Sequence, residues 1–193
     1  MVDKRLVYGV GINDLKYTEK TIHQKEYTLW RDVLKRCYCE QYLTRFPTYR
    51  NVKMVSEWLT YSCFKKDISK LKNFEKLYEG WVLDKDICSD DKVYSKETCC
   101  IVPQQVNLFF STFSTNHNPA YDARVDFYYC YCHHNGEKKY LGRYKTKEES
   151  YKVYLAYKIL VIEDMINKYD HVLDNRVITR LSECKEVLKN EQV

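Results

Sequence analysis

Residues with oxygen ligands for a divalent cation lie in the segment 81–107, WVLDKDICSDDKVYSKETCCIVPQQVN. The runs WVLD and TCCIV predict two short strands joined by a polar loop, and PQQVNLFFS predicts a helix with Pro103 at its first position. Asp84 would close the first strand, and Asn107 would lie about one turn into the helix. One Mg²⁺ or Mn²⁺ ion could therefore contact both side chains, because hard cations prefer carboxylate and amide oxygens.

A water bound to such a cation must lose a proton before it attacks a phosphodiester, and this segment has no histidine to accept it. Asp86 can act as a weaker general base, and Lys85 can contact a phosphate or a leaving oxygen. The alternative for both is a strand end with solvated charges. For Asp84 and Asn107 the alternative is also structural, namely a polar pair that stabilises the junction between hairpin and helix.

The run KKYLGRYKTK, residues 138–147, contains five basic residues and no acidic one. Charge runs are usually solvated, but this one follows a predicted hairpin turn and has tyrosines between its cations. Lys and Arg gain affinity for DNA by releasing counterions, and Tyr can pack on sugars or base edges. We therefore expect contact with double-stranded DNA, to which Arg124 on the preceding strand would add. The residues of the run expected to contact DNA are Lys138, Lys139, Tyr140, Arg143, Tyr144, Lys145 and Lys147.

The cysteines invite a zinc interpretation at CYCHH, residues 130–134. Because neighbours alternate along a strand, Cys130 and Cys132 share one face, and Tyr129 and Tyr131 share the other. Zinc sites prefer a pair two to four residues apart with a second pair further along the chain, so we favour a packed sheet face and expect no zinc. The opening MVDKRLVYGV lacks the features of a signal peptide, which favours reduced thiols and a cytoplasmic protein.

Helical periodicity in the N-terminal half is clearest in QKEYTLWRDVLKRCY, where Tyr27, Trp30, Leu34 and Cys37 recur every three or four residues. Pro47 ends that region, and VSEWLTYSCFKKDISKL resumes the helical pattern. With 45% hydrophobic and 15% aromatic residues, the chain can fill real cores. No window approaches the roughly 18 consecutive apolar residues of a membrane span, so we expect a soluble protein with no membrane partner.

After a linker rich in Ser, Thr and Asn, the sequence predicts a hairpin and two helices. Asn135-Gly136 signals a two-residue turn, and Thr146 with Glu149 predicts a capping box. The helix that follows is expected to direct one apolar face to the sheet, formed by Val153, Ala156, Tyr157, Leu160 and Val161. The last amphipathic segment has an apolar stripe formed by Val177, Leu181, Cys184 and Leu188. We expect the stripe to pack within the protein, with contact to a protein partner through this C-terminal helix as the alternative.

The runs LDKDI, KVYSKETC and IVPQQVN resemble the catalytic region of phage-encoded HNH, or ββα-metal, endonuclease-like proteins. YGVGIND, LWRDVLKRCY and FPTYRNVKMVSEWL resemble the upstream part of the same proteins. The resemblance places Asn107 at the final metal-ligand position and Thr98 at the middle Asn position. Its Asp-His pair falls on Asp84 with Lys85, or on Lys85 with Asp86, and neither alignment supplies the general-base His. It implies a phage protein that acts in the bacterial cytoplasm.

The segment CHHNGEKKYLGRYKTKEESYKVYLAYK resembles the AP2, or ERF-type, DNA-binding domain. That resemblance implies a three-stranded sheet that enters the major groove, with a helix packed behind it. The first strand departs from the pattern, because AYDARV replaces the usual Gly-Val opening. The base-reading residues of that strand are therefore not carried over.

These observations predict an α+β fold with N-terminal helices leading into an HNH-like ββα unit, followed by a small AP2-like sheet and helix. The expected domains are 1–112, with its core at 81–110, then a linker at 113–120 and a DNA-binding module at 121–193. The predicted function is that of a DNA-binding HNH-type endonuclease. The alternative is a nuclease-inactive module that binds DNA or protein.

Overall fold

The structure is a computed structural model that describes residues 6–15, 24–113 and 119–192. The chain divides into two compact units, Met1–Val102 and Pro103–Val193. In the first unit the helices are α1 (Lys25–Tyr38), α2 (Glu40–Arg45) and α3 (Tyr61–Ile68), with short 3₁₀ turns at Pro47–Tyr49, Ser56–Leu59 and Phe74–Glu79. Its strands are β1 (Lys53–Met54), β2 (Val82–Asp84), β3 (Val93–Tyr94) and β4 (Cys100–Val102).

An aromatic cluster forms the core of the first unit. Trp30 from α1 and Trp58 from the second 3₁₀ turn are fully buried, and the indole Nε1 of Trp30 donates to the Trp58 carbonyl over 2.7 Å. Trp58 donates its own Nε1–H to Asp67 Oδ2 over 3.0 Å, so both indole donors are satisfied. Tyr61 and Phe64 from α3 complete the cluster. The predicted inward face of α1 is confirmed, because its four named residues are all buried.

Two small sheets frame the acidic segment. β2 and β4 pair antiparallel, with Asp84 opposite Cys100, so the predicted pairing of WVLD with TCCIV is confirmed. β1 and β3 pair in parallel, and Arg36 from α1 donates to the Tyr94 hydroxyl over 3.1 Å. The turn that follows Asp84, which we call the acidic turn, therefore begins at the end of a paired strand.

The second unit is built on an antiparallel sheet. It contains α4 (Gln104–Phe113), β5 (Ala120–Asp122), β6 (Phe127–His134), β7 (Glu137–Tyr144), α5 (Lys147–Tyr169) and α6 (Asn175–Glu191), with the strands in the order β5-β6-β7. Asn135 and Gly136 connect β6 to β7 with positive φ values of 51° and 83°, which a tight two-residue hairpin turn requires. The predicted hairpin is confirmed. The described part of the chain is thus a mixed α+β fold with small sheets.

A bulge in β7 sets which residues share a face. Cys130 pairs with Gly142, whereas Tyr131 pairs with Tyr140, so Leu141 is the extra residue. Gly142 has a φ of 126°, and a Cβ built there would lie 2.8 Å from the Tyr144 hydroxyl oxygen. Only glycine suits that position.

Helix α5 lies against the sheet and against α6, but only part of the face predicted from the sequence is buried. Ala156 and Leu160 are exposed, and Leu160 keeps 56% of its surface accessible. The buried side chains of α5 are Ser150, Tyr154, Leu155, Lys158, Val161, Ile162 and Met165. The predicted face is wrong for Ala156 and Leu160, whereas Val161 is buried as predicted. Apolar residues occur almost all round this helix, so its periodicity does not single out one side. The stripe of α6 is confirmed, since its four named residues are buried.

Helix α4 belongs to the second unit, although we expected it to close a first domain ending at residue 112. Gln105 donates its side-chain N–H to the Tyr169 hydroxyl over 2.8 Å, and Phe109 lies under the Lys158 ammonium. Of the linker expected at 113–120, residues 114–118 lie outside the described residues. Within the described ranges, no helix is long and apolar enough to cross a membrane.

The capping box at the start of α5 gives the first testable prediction. The Glu149 amide donates to Thr146 Oγ1 over 3.2 Å, and the Thr146 amide donates to the Glu149 carboxylate over 3.3 Å. Thr146→Ala removes the acceptor and should destabilise the second unit by about 1 kcal/mol. Urea denaturation followed by the helical circular dichroism signal measures the loss. Thr146→Ser keeps the hydroxyl and is the matched control; an equal loss in both variants would contradict the capping role.

Candidate nucleic-acid interface

The exposed face of the β5-β6-β7 sheet collects side chains from two strands. Residues opposite each other in an antiparallel pair point to the same side of a sheet. His133 lies opposite Lys138, Tyr131 opposite Tyr140, and Tyr129 opposite Arg143. We call this side the outer face; it is formed by Phe127, Tyr129, Tyr131, His133, Lys138, Tyr140, Arg143 and Lys145. The inner side carries Cys130 and Cys132, both 2% exposed, so the predicted packing of the two cysteines is confirmed.

Three cations of the outer face lie over aromatic rings. Lys138 Nζ is 4.4 Å from the centroid of the Tyr131 ring, and Lys145 Nζ is 4.1 Å from that of Phe127. The Arg143 guanidinium carbon lies 5.0 Å from the same Phe127 centroid. A ring attracts a cation without neutralising it. Since no carboxylate of the described residues forms an ion pair with any of the three, their charge is available to an anionic partner.

Arg124 differs from these cations because its charge is already matched. It lies in the turn between β5 and β6, where its Nη2 is 2.7 Å from Asp122 Oδ2 and its Nε donates to Oδ1 over 3.0 Å. The same hydrogen bonds lower the pKa of Asp122 below its ordinary value. A DNA phosphate would have to displace this bidentate partner. Arg124 is thus the weaker of the predicted contacts.

The structure divides the other candidates between two sides of the sheet. Tyr140 lies on the outer face with Lys138, Arg143 and Lys145. Lys139 points the other way, with its Nζ 5.0 Å from the ring centroid of Tyr157 on α5. Tyr144 donates its hydroxyl to the Leu141 carbonyl over 2.8 Å and supports the bulge. Lys147 is exposed as the first residue of α5.

Sequence reasoning missed the contribution of β6 to this surface. It selected candidates from one continuous basic run, whereas the outer face takes Phe127, Tyr129, Tyr131 and His133 from the facing strand. The alternation of FYYCYCHH was the available signal, because the residues that alternate with Cys130 and Cys132 must point away from the packed side.

Asp84, the proposed metal ligand, is engaged by the backbone. Its Oδ1 accepts the amide of Asp86 over 2.7 Å and that of Ile87 over 2.9 Å, which closes the turn after β2. Burial raises the pKa of Asp84 above its ordinary value, and these two hydrogen bonds oppose the rise. The geometry is that of a side chain that caps a turn.

The residues proposed for the base position are paired with each other. Lys85 is only 4% exposed and forms an ion pair with Asp86, and its Nζ lies 5.5 Å from the Tyr94 ring centroid. Because Lys85 is buried and paired with Asp86, its ammonium is poorly placed to contact a phosphate. Thr98, at the middle Asn position, donates its hydroxyl to the Val93 carbonyl over 2.6 Å and holds the β3–β4 turn.

The two proposed metal ligands belong to different units. Asn107 is half-buried in the first turn of α4 in the second unit. Its backbone N–H donates to the Pro103 carbonyl over 3.1 Å. In the first unit, Asp84 has one oxygen left for a ligand, and the Lys85 ammonium is close by. The described residues contain no group of three or more His, Cys, Asp or Glu that could hold a metal ion. Mg²⁺ and Mn²⁺ prefer several oxygen ligands, so a metal site formed by Asp84 and Asn107 stays a prediction, and we derive no hydrolytic step from it.

Comparison with known proteins adds no family to these observations. No protein-family model, no curated protein and no solved structure matches the chain. The proposals that follow therefore rest on the geometry of the described residues.

The raised pKa of Asp84 gives a prediction with a definite sign. Burial favours the neutral form of the Asp84 carboxyl. The stability that this group contributes is therefore fully present below its ordinary pKa of 3.8 and is lost as the pH rises through its higher folded-state pKa. The stability of the wild type relative to Asp84→Asn should therefore fall as the pH rises above the ordinary value of 3.8. Urea denaturation followed by tryptophan fluorescence measures it, because all three tryptophans lie in the first unit. A relative stability that increases with pH would show instead that ion pairing dominates.

Proposed function

We propose that the second unit binds double-stranded DNA through the outer face of its sheet. The observation that carries the proposal is the row of three cations, Lys138, Arg143 and Lys145, each over an aromatic ring and none in an ion pair with a described carboxylate. Phosphate contacts by such groups release counterions from the duplex, which supplies affinity independent of sequence.

The shape of the face suits a duplex as well as its charge does. A two-stranded antiparallel ribbon, such as β6 with β7, fits the major groove of B-DNA. Tyr131 and Tyr140 pair across β6 and β7 with ring centroids 5.3 Å apart, and both are exposed. Aromatic rings at the centre of a basic face can pack on sugars and on base edges. Helix α5 supports the strands from the opposite side, so the contact residues are held on a packed scaffold.

We propose binding rather than hydrolysis. The side chains that would perform the chemistry have other partners, because Asp84 closes a turn and Lys85 pairs with Asp86. The role of a nuclease-inactive DNA-binding module accounts for the same residues without a general base.

Removal of two outer-face cations tests the binding proposal. Lys138→Ala with Arg143→Ala should weaken duplex binding and reduce the slope of log affinity against log salt by about two, since each lost phosphate contact removes about one. Fluorescence anisotropy of a labelled duplex over a series of KCl concentrations measures the slope. The matched control is Lys139→Ala with Lys168→Ala, which removes the same charge away from the outer face. An equal effect in both double variants would show a general charge effect and would contradict the proposed face.

Cleavage is tested separately from binding. Incubation of supercoiled plasmid with the protein and Mg²⁺ or Mn²⁺ should leave the plasmid intact, because Asp84 already accepts two backbone amides and Lys85 is paired with Asp86. Agarose electrophoresis detects nicking. Metal-dependent nicking that Asp84→Ala abolishes without weakening DNA binding would establish the HNH-type activity and overturn this expectation.

A further inference from the structure

The second unit contains a cavity of about 470 Å³ that the DNA-binding face does not explain. Its walls come from α4, from the strands β5 and β6, and from α5, and they include Leu108, Pro119, Tyr131 and Tyr154. A cavity of this volume suits a small organic ligand. Apolar and aromatic groups line most of it, so a ligand here would contribute apolar surface.

A buried lysine supplies the main polar group of this cavity. Lys158 of α5 lines it and is only 6% exposed. Its Nζ lies 4.7 Å from the ring centroid of Phe109, and no hydrogen bond or ion pair joins the Lys158 ammonium to the residues that the structure describes. Burial lowers the pKa of Lys158, as expected for an ammonium in apolar surroundings. A buried charge without a counter-ion costs stability, and a ligand that brings a negative group into the cavity would provide the counter-ion.

The rest of the cavity lining favours an anion. No acidic residue lines the cavity among the described residues, and Lys138 and His133 lie at its exposed side. Of the described residues that line the cavity, the two charged ones, Lys138 and Lys158, are both cations, so the electrostatic field inside it is positive. A ligand with an apolar body and one negative group matches both the walls and the field.

We propose that this cavity binds a small apolar monocarboxylate, whose carboxylate accepts a hydrogen bond from Lys158 Nζ while its body packs against Leu108, Pro119 and Tyr154. The pair formed in this way is charge-assisted and largely shielded from water. Such hydrogen bonds are about twice as strong as neutral ones, so the carboxylate should be preferred clearly over an uncharged analogue of the same shape.

Two probes of equal shape test this preference on the full-length protein. Isothermal titration calorimetry near pH 7 compares 4-phenylbutyrate with its neutral amide, and phenylacetate and octanoate extend the series in length. We expect the acid of best-fitting length to bind at least about tenfold more tightly than its amide. Lys158→Met should remove this preference and retain the affinity for the amide. Lys152→Met, an exposed lysine on the same helix, is the matched control and should behave as the wild type.

A second variant guards against misfolding of the first. Leu108 is 53% exposed, so Leu108→Trp should fold and should weaken the acid and the amide by the same factor because it fills the cavity. Equal affinity for acid and amide, or a preference that survives in Lys158→Met, would overturn the proposal. Binding of none of the acids would overturn it as well. Borohydride trapping of 4-phenylbutanal on Lys158, without acid binding, would assign the cavity to carbonyl compounds instead.

Discussion

The register of the β6–β7 hairpin is the constraint on which the second unit depends. Side chains alternate between the faces of a sheet, so a slip of one residue would exchange Lys138 for Lys139 and turn the buried cysteines outward. The positive φ values of Asn135 and Gly136 fix the turn, and the packing of Cys130 and Cys132 against α5 opposes any slip. The Leu141 bulge then shifts the register by one residue and brings Arg143 back to the outer face. A local turn and two small buried thiols thus decide which cations face solvent.

The two sides of this sheet have different electrostatic characters. Cations on the outer face lie over aromatic rings and stay available to phosphates, whereas burial on the inner side lowers the pKa of Lys158. The cavity and the outer face are not independent, since Tyr131 and Lys138 belong to both. A small acid in the cavity would therefore lie beside the surface that we propose for DNA. This juxtaposition follows from the packing of α4 and α5 around one strand.

The acidic turn of the first unit shows how residues suited to catalysis can be used for folding. Asp84 accepts two backbone amides and Lys85 pairs with Asp86, so these groups satisfy one another next to a paired strand. Burying a lysine costs free energy, which the Asp86 carboxylate and the Tyr94 ring offset. The same residue types that suggest a metal pocket in sequence form a self-contained turn in space. The spacing of residues along a chain does not show which of their oxygen atoms already accept hydrogen bonds or form ion pairs.

The sequence by itself determined the features that arise from neighbouring residues: the pairing of WVLD with TCCIV, the Asn135-Gly136 turn, the Thr146 capping box and the apolar stripe of α6. These depend on backbone preferences and side-chain periods within a few residues. Only the tertiary structure decided the orientation of α5, because a helix that is apolar nearly all round can pack in several ways, and its contacts with the sheet and α6 buried Lys158 and exposed Leu160. It likewise decided which members of one basic run share a face, since that depends on a partner strand and a bulge that spacing along the chain does not contain.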